Sequence, residues 1–158
     1  HGLDAALQWR PPSLSGLALY ASIGLLDTEL DSFVSGATTI PKGNEQPDAP
    51  GFSGNLAASY EFNLSDSASM QIAVDGRYQG DTYRSVLNEV FSETASYWVI
   101  NARVSLYLQN EWEVTAWGRN INDEEYMTEF SNNLALGNGS RIYGAPRTYG
   151  LTVTKHFD

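Results

Sequence analysis

A chain of 158 residues with a formal net charge of −10, two Lys against seven Arg and no Cys excludes several classes of function at once. The acidic balance argues against a nucleic-acid partner, which needs a basic footprint, and the lack of Cys removes disulfides, thiolate metal sites and a cysteine nucleophile. No apolar run approaches the ~18 to 20 residues of a membrane-spanning helix, and the N-terminus lacks the basic and apolar regions of a signal peptide. Because it begins at His1 rather than Met, the chain is expected to be a processed form or a piece of something longer.

The dominant pattern is period-two alternation in seven segments, each of the length that a tilted strand of roughly 9 to 11 residues needs to cross a bilayer. In residues 2–9, Leu3, Ala5, Leu7 and Trp9 share one face opposite Asp4 and Gln8. In residues 15–31, Leu17, Leu19, Ala21, Ile23 and Leu25 alternate with Ala18, Tyr20, Ser22 and Gly24. Residues 52–62 set Phe52, Leu56, Ala58, Tyr60 and Phe62 against Ser53, Asn55, Ser59 and Glu61, and the aromatics at both ends match an interface girdle. In residues 69–84, Met70, Ile72, Val74 and Tyr78 oppose Gln71, Asp75, Arg77 and Gln79. Residues 97–108 place Trp98, Ile100, Ala102, Val104, Leu106 and Leu108 against Asn101, Arg103, Ser105 and Tyr107. Residues 112–120 put Trp112, Val114 and Ala116 opposite Glu113, Thr115 and Arg119. The last segment, residues 147–157, sets Tyr149, Leu151, Val153 and Phe157 against Thr148, Thr152, Thr154 and His156.

The connectors alternate in length. Those at 10–14, 63–68 and 109–111 are short, whereas those at 32–51, 85–96 and 128–145 are long and rich in Gly, Pro, Asn and acids. Short turns on one side and long loops on the other characterise transmembrane barrels. A soluble sandwich also alternates, but these segments exceed the usual ~5 to 6 residues of a globular strand, and Arg and Glu stand at mid-strand on the polar face. The expected fold is therefore all-β, an antiparallel transmembrane β-barrel. Hydrocarbon cannot satisfy backbone N–H and C=O groups, so strands persist there only in a closed sheet. Single-chain bacterial barrels have even strand numbers, so seven strands imply that others are missing on the N-terminal side.

The ending carries a family signal. Residues 120–126, Asn-Ile-Asn-Asp-Glu-Glu-Tyr, are similar to an Asn-Leu-x-Asp-Lys-x-Tyr element near the end of TonB-dependent receptors. Residues 144–150, Gly-Ala-Pro-Arg-Thr-Tyr-Gly, resemble that family's Gly-x-Pro-Arg-x-Tyr/Phe-Gly opening of the last strand, and Phe157 falls where the family ends in an aromatic. The motif residues are thus Asn120, Asp123, Tyr126, Pro146, Arg147, Tyr149, Gly150 and Phe157. This resemblance covers residues 112–158; residues 1–111 agree in architecture, and residues 50–56, Pro-Gly-Phe-Ser-Gly-Asn-Leu, look like a strand opening common in the family. Two positions depart from the pattern: the chain ends in Asp158 after the aromatic, and Lys155 stands at an outward position where an aromatic is usual. Near a membrane boundary its stem can snorkel.

The residues also have a reading of their own. Pro146 fixes its φ and biases Ala145 toward extended geometry, which suits the start of a strand. Arg147 is expected at the outer rim, either solvated or paired with Glu124, Glu125 or Glu129, since exposed pairs contribute little.

The resemblance implies a C-terminal segment, residues 1–158, of a barrel of the 22-stranded type. Such a receptor lies in the bacterial outer membrane and imports a scarce nutrient such as a ferric siderophore. It implies as partners outer-membrane lipid, the N-terminal barrel strands and plug domain of the same receptor, TonB acting through that N-terminal part, and the nutrient itself. Candidate ligand-facing residues on the polar face are Arg77, Tyr83, Arg84, Arg103, Trp117 and Arg119, because Arg complements an anionic chelate; the plainer account makes them wall charges paired with acidic wall or plug residues. His1 and His156 do not suggest a metal site, and Asp27, Glu29 and Asp31 lack the Asp-x-Asp-x-Asp-Gly pattern of a calcium loop. No nucleophile elbow or phosphate loop is present, so neither catalysis nor a cofactor is expected. Two other readings stand beside the receptor: a self-contained eight-stranded porin-like or adhesin barrel, and a soluble lipocalin-like binding barrel.

Overall fold

The computed structural model describes residues 1–109, 111–133 and 138–157. Thirteen strands form: β1 (Gly2–Trp9), β2 (Leu17–Leu26), β3 (Phe33–Ser35), β4 (Thr38–Ile40), β5 (Phe52–Ser65), β6 (Ala68–Gln79), β7 (Thr82–Tyr83), β8 (Glu93–Thr94), β9 (Tyr97–Leu108), β10 (Trp112–Arg119), β11 (Met127–Asn133), β12 (Asn138–Tyr143) and β13 (Thr148–Lys155). The long strands make one seven-stranded antiparallel meander in the order β1-β2-β5-β6-β9-β10-β13. These are the seven segments expected from alternation. The sheet is open: among the described residues β1 and β13 are its two edges and do not pair.

Register carries the alternation across the whole sheet. Leu7 pairs with Ala21 and Ala21 with Leu56, Val74 with Ala102, Ala116 with Val104 on one side and with Leu151 on the other. Because cross-strand partners share a face, one face is apolar from edge to edge and the other polar. The apolar face is not covered, with Leu7 at 65%, Ile72 at 47% and Leu151 at 67% exposure. Phe52, Tyr78 and Trp98 form an aromatic row at one end of it, with ring centroids 5.5 and 5.2 Å apart, and Tyr60 and Phe62 stand at the other end. The ten residue-to-residue steps from Phe52 to Phe62 span ~34 Å along the strand at ~3.4 Å each, which a tilt of about 40–45° converts to the ~25 Å height of a membrane-facing apolar band.

Some strand ends differ from the sequence expectation. β2 stops at Leu26 and β6 at Gln79, although alternation continues to residues 31 and 84. Pairing gives out before the pattern does: the Leu26 N–H turns to Gly51 O and the Gly80 N–H to Phe52 O. In the other direction β5 runs on to Ser65, through a register shift between Asn63 and Ser65, so its turn to β6 is tighter than residues 63–68 implied. The three long connectors are not irregular. Each carries a hairpin, β3–β4, β7–β8 or β11–β12, the second and third opening ahead of the expected connectors, with β7 at Thr82–Tyr83 and β11 at Met127, and all three lie at the same end of the sheet. The buried apolar side chains, Ile40, Tyr97 and Met127, are at that end also. The compact core is thus in the loops, while the sheet exposes both faces.

Candidate functional site

Three loops and the upper polar face make up the candidate site. Arg84, adjoining β7, joins the loops. Its side chain, 11% exposed, forms an ion pair with Asp48 of the first loop, donates from Nη2 to Met127 O of the third at 2.7 Å, and from Nε to Thr94 Oγ1 of its own hairpin at 3.3 Å. Backbone bonds reinforce the joint, with the Asp48 N–H donating to Tyr83 O at 2.9 Å. Asn88 accepts from the Glu45 N–H and donates to Glu45 O, and Asn44 donates to Val86 O. Arg141 of β12 donates to Phe91 O at 2.7 Å, beside the Phe91–Phe130 ring pair. Of the candidates named from sequence, Tyr83 and Arg84 therefore lie in this loop cluster rather than on the wall, and the charge of Arg84 is met by Asp48.

The family-like motif is a brace between β9, β10 and β13. Asn120, 3% exposed and with φ +49°, accepts from the Glu124 N–H at 2.9 Å and donates to Glu124 O and Ala145 O at 2.9 and 3.1 Å. Asn122 bonds to the Ile100 N–H and to Trp98 O, fixing the end of β9. Asp123, φ +57°, holds Arg147 through an ion pair of 3.1 Å and accepts from its backbone N–H at 3.3 Å. The partner of Arg147 is thus Asp123, not Glu124, Glu125 or Glu129; the turn at 120–123 brings it to the start of the last strand. Tyr126 stacks on Tyr97 with centroids 4.7 Å apart. A Cβ on Gly144 would overlap the edge of the Tyr126 ring at its Cζ, so the glycine ahead of Pro146 is required by space.

The polar face separates the remaining candidates. Arg77 on β6 donates to Tyr97 Oη at 3.3 Å, and that hydroxyl donates to Gln79 Oε1 at 2.9 Å. Asn101 donates to Asp75 at 2.7 Å and accepts from the Asn120 N–H at 3.0 Å, which ties the wall to the brace. Arg103 and Trp117 are direct partners across β9 and β10, and the Arg119 guanidinium lies 5.0 Å from the Trp117 ring centroid. Trp117 Nε1 donates to Thr152 Oγ1 at 3.2 Å, and its ring covers Gly150, where a Cβ would overlap it. Arg103, Trp117 and Arg119 therefore come together, and Arg77, Tyr83 and Arg84 do not join them. Tyr149 and Gly150 point to opposite faces, Tyr149 to the apolar one. At the far end Lys155 lies 3.5 Å from Glu111 and near the rings of Trp112 and Phe157, and Phe157 itself lies beyond β13 and is exposed. The Asp158 ending is outside the described residues.

Sequence reasoning passed over Tyr97 and Asp48, and it named Asn101 only as a polar-face position and Gly144 only as a motif glycine. Parity alone would have placed Tyr97 on the polar face with Arg77. Asp48 had no local signal, since its partner is a residue of another loop.

Residues 1–121 match the family model described as TonB dependent receptor-like, beta-barrel. That stretch takes in residues 1–111, which agreed with the family in architecture and in the strand opening at 50–56; most of the motif-bearing ending lies beyond it. The fold is similar to that in the crystal structure of the siderophore receptor PiuA from Acinetobacter baumannii, at TM-score 0.75 and 17% identity, over 96% of this chain. The chain spans 21% of the length of PiuA. The family is one of receptors rather than enzymes, and with most of its length matched to the barrel model the chain belongs to the TonB-dependent receptor-like β-barrel family.

Proposed function

We propose that residues 1–158 are C-terminal barrel wall of a bacterial outer-membrane receptor that takes up a scarce nutrient, a ferric siderophore being the leading type. The observation that carries this reading is the two-faced sheet: an exposed apolar face of membrane height backs a polar face that opens beneath a tied loop cluster. In the full receptor the apolar face would meet lipid and the polar face the lumen, with the strands that precede β1 leading round from its edge to the free edge of β13 to close the wall, and a plug within it. TonB would act through that missing N-terminal part. PiuA is named a siderophore receptor, which agrees with a ferric chelate as cargo.

The test is uptake of an iron-55-labelled siderophore panel by cells carrying or lacking the full receptor, with and without an energised inner membrane. Uptake that requires both the receptor and energy is expected. Flux that depends on solute size and ignores energy would overturn the reading in favour of a small porin-like barrel, as would a native mature chain of 17.4 kDa.

A further inference from the structure

We infer that Arg103, Trp117 and Arg119 form a preorganised site on the lumen wall for a ligand group that is both planar and anionic, such as an aryl ring bearing ionised oxygens. The inference rests on the uptake reading and names the chemistry of the cargo it would contact.

Three observations carry it. The first is the state of the cations: among the described residues neither Arg103 nor Arg119 has a carboxylate at ion-pair distance, and both are exposed on the polar face. The nearest wall acid in the register, Asp75, is held by Asn101, and Asn101 is itself committed at both ends. By contrast Arg77 is bonded to Tyr97, and Arg84 is paired and nearly buried.

The second is the seating of the ring. Trp117 is fixed by the Nε1 bond to Thr152 and by close cover of Gly150. A residue larger than Gly at 150 would push the ring off the wall, so the glycine of the last-strand motif has a particular consequence here. A ring already locked loses little rotamer freedom on contact with a ligand, which favours affinity.

The third is position. Gly118, between Trp117 and Arg119, pairs with Tyr149, so on β10 and β13 the cluster is toward the ends nearest the loops, while Arg103 stands at mid-strand on β9. Arg103 is flanked on its other side by Ala73, which leaves space over the wall. One guanidinium beside the ring and a second stacked on it match a ligand that offers a π-face and anionic oxygens together, because planar guanidinium both stacks and donates bidentately.

The test uses the full receptor in detergent micelles with two probes, the iron(III) complex of 2,3-dihydroxybenzoate and a neutral iron(III) trihydroxamate. Arg103→Gln, Arg119→Gln and Trp117→Leu are compared with the parent, and heat-modifiable mobility on gels reports folding. The arginine variants are expected to weaken the aryl complex at least tenfold and change the trihydroxamate less than twofold. Gly150→Val, which displaces the ring without removing a charge, should give a similar selective loss. Folded variants that bind the aryl complex within twofold of the parent, or that lose both probes equally, would overturn the inference and leave the uptake reading intact. A parent receptor that binds neither probe would overturn the ferric-chelate reading and this inference with it.

Discussion

Arg84→Met should loosen all three loops while leaving the seven-stranded sheet unchanged. Met keeps the length of the stem and removes the guanidinium, so three interactions go together. The Met127 carbonyl loses a charged donor at 2.7 Å in a residue that is 5% exposed, at about 1–3 kcal/mol for an unsatisfied buried acceptor. The Asp48 carboxylate is 59% exposed and regains water, so that pair contributes only ~0–1 kcal/mol. The Thr94 bond, long at 3.3 Å, contributes ~0.5–1 kcal/mol. The sum is about 1.5–5 kcal/mol of local stability, and its midpoint of ~3 kcal/mol corresponds to roughly 200-fold faster exchange of amides that open with the loops. Hydrogen exchange with mass spectrometry on the full receptor reads this at the Asp48 and Arg84 N–H groups, bonded to Tyr83 O and Ser92 O, and at the hairpin from Met127 to Tyr143. Parental exchange rates in the first and third loops, or acceleration limited to β7–β8, would refute the assignment of Arg84 as their common tie.

Asn120→Ala removes the buried side chain that serves three backbone groups, the Glu124 N–H and the Glu124 and Ala145 carbonyls; denaturant unfolding in micelles should show a drop of about 1–3 kcal/mol, and a change under ~0.5 kcal/mol would contradict it. Gly144→Ala drives a methyl into Tyr126, whose stacking on buried Tyr97 limits retreat, and should destabilise by ~1–3 kcal/mol in the same assay. Val74→Arg, at the middle of the apolar face, should cost about 2–4 kcal/mol on refolding into bilayers. Ser59→Arg, on the polar face of the neighbouring strand, should change little, and equal costs would contradict the assignment of faces.

Alternation, read along one strand at a time, determined the seven crossings, which side of each is apolar, and which connectors are long. Side-chain period two is a local property of extended chain, and membrane-height strands leave a long record of it. The motif from Asn120 to Gly150 was likewise visible, but its meaning was not: Asn120, Asp123 and Gly144 find Ala145, Arg147 and Tyr126 only once the third loop folds back. Tertiary structure also decided what becomes of each arginine. Arg77, Arg84, Arg103 and Arg119 look alike in sequence, yet Arg84 is consumed by Asp48, 36 residues away, while among the described residues Arg103 and Arg119 gather about Trp117 with no carboxylate at ion-pair distance. A charge can be placed on a face by parity alone; whether it is neutralised depends on which loop the fold brings against it. Two of the loop hairpins, β3–β4 and β7–β8, were hidden for a similar reason, since strands of two or three residues are too short to show a period and hold only by the contacts around them.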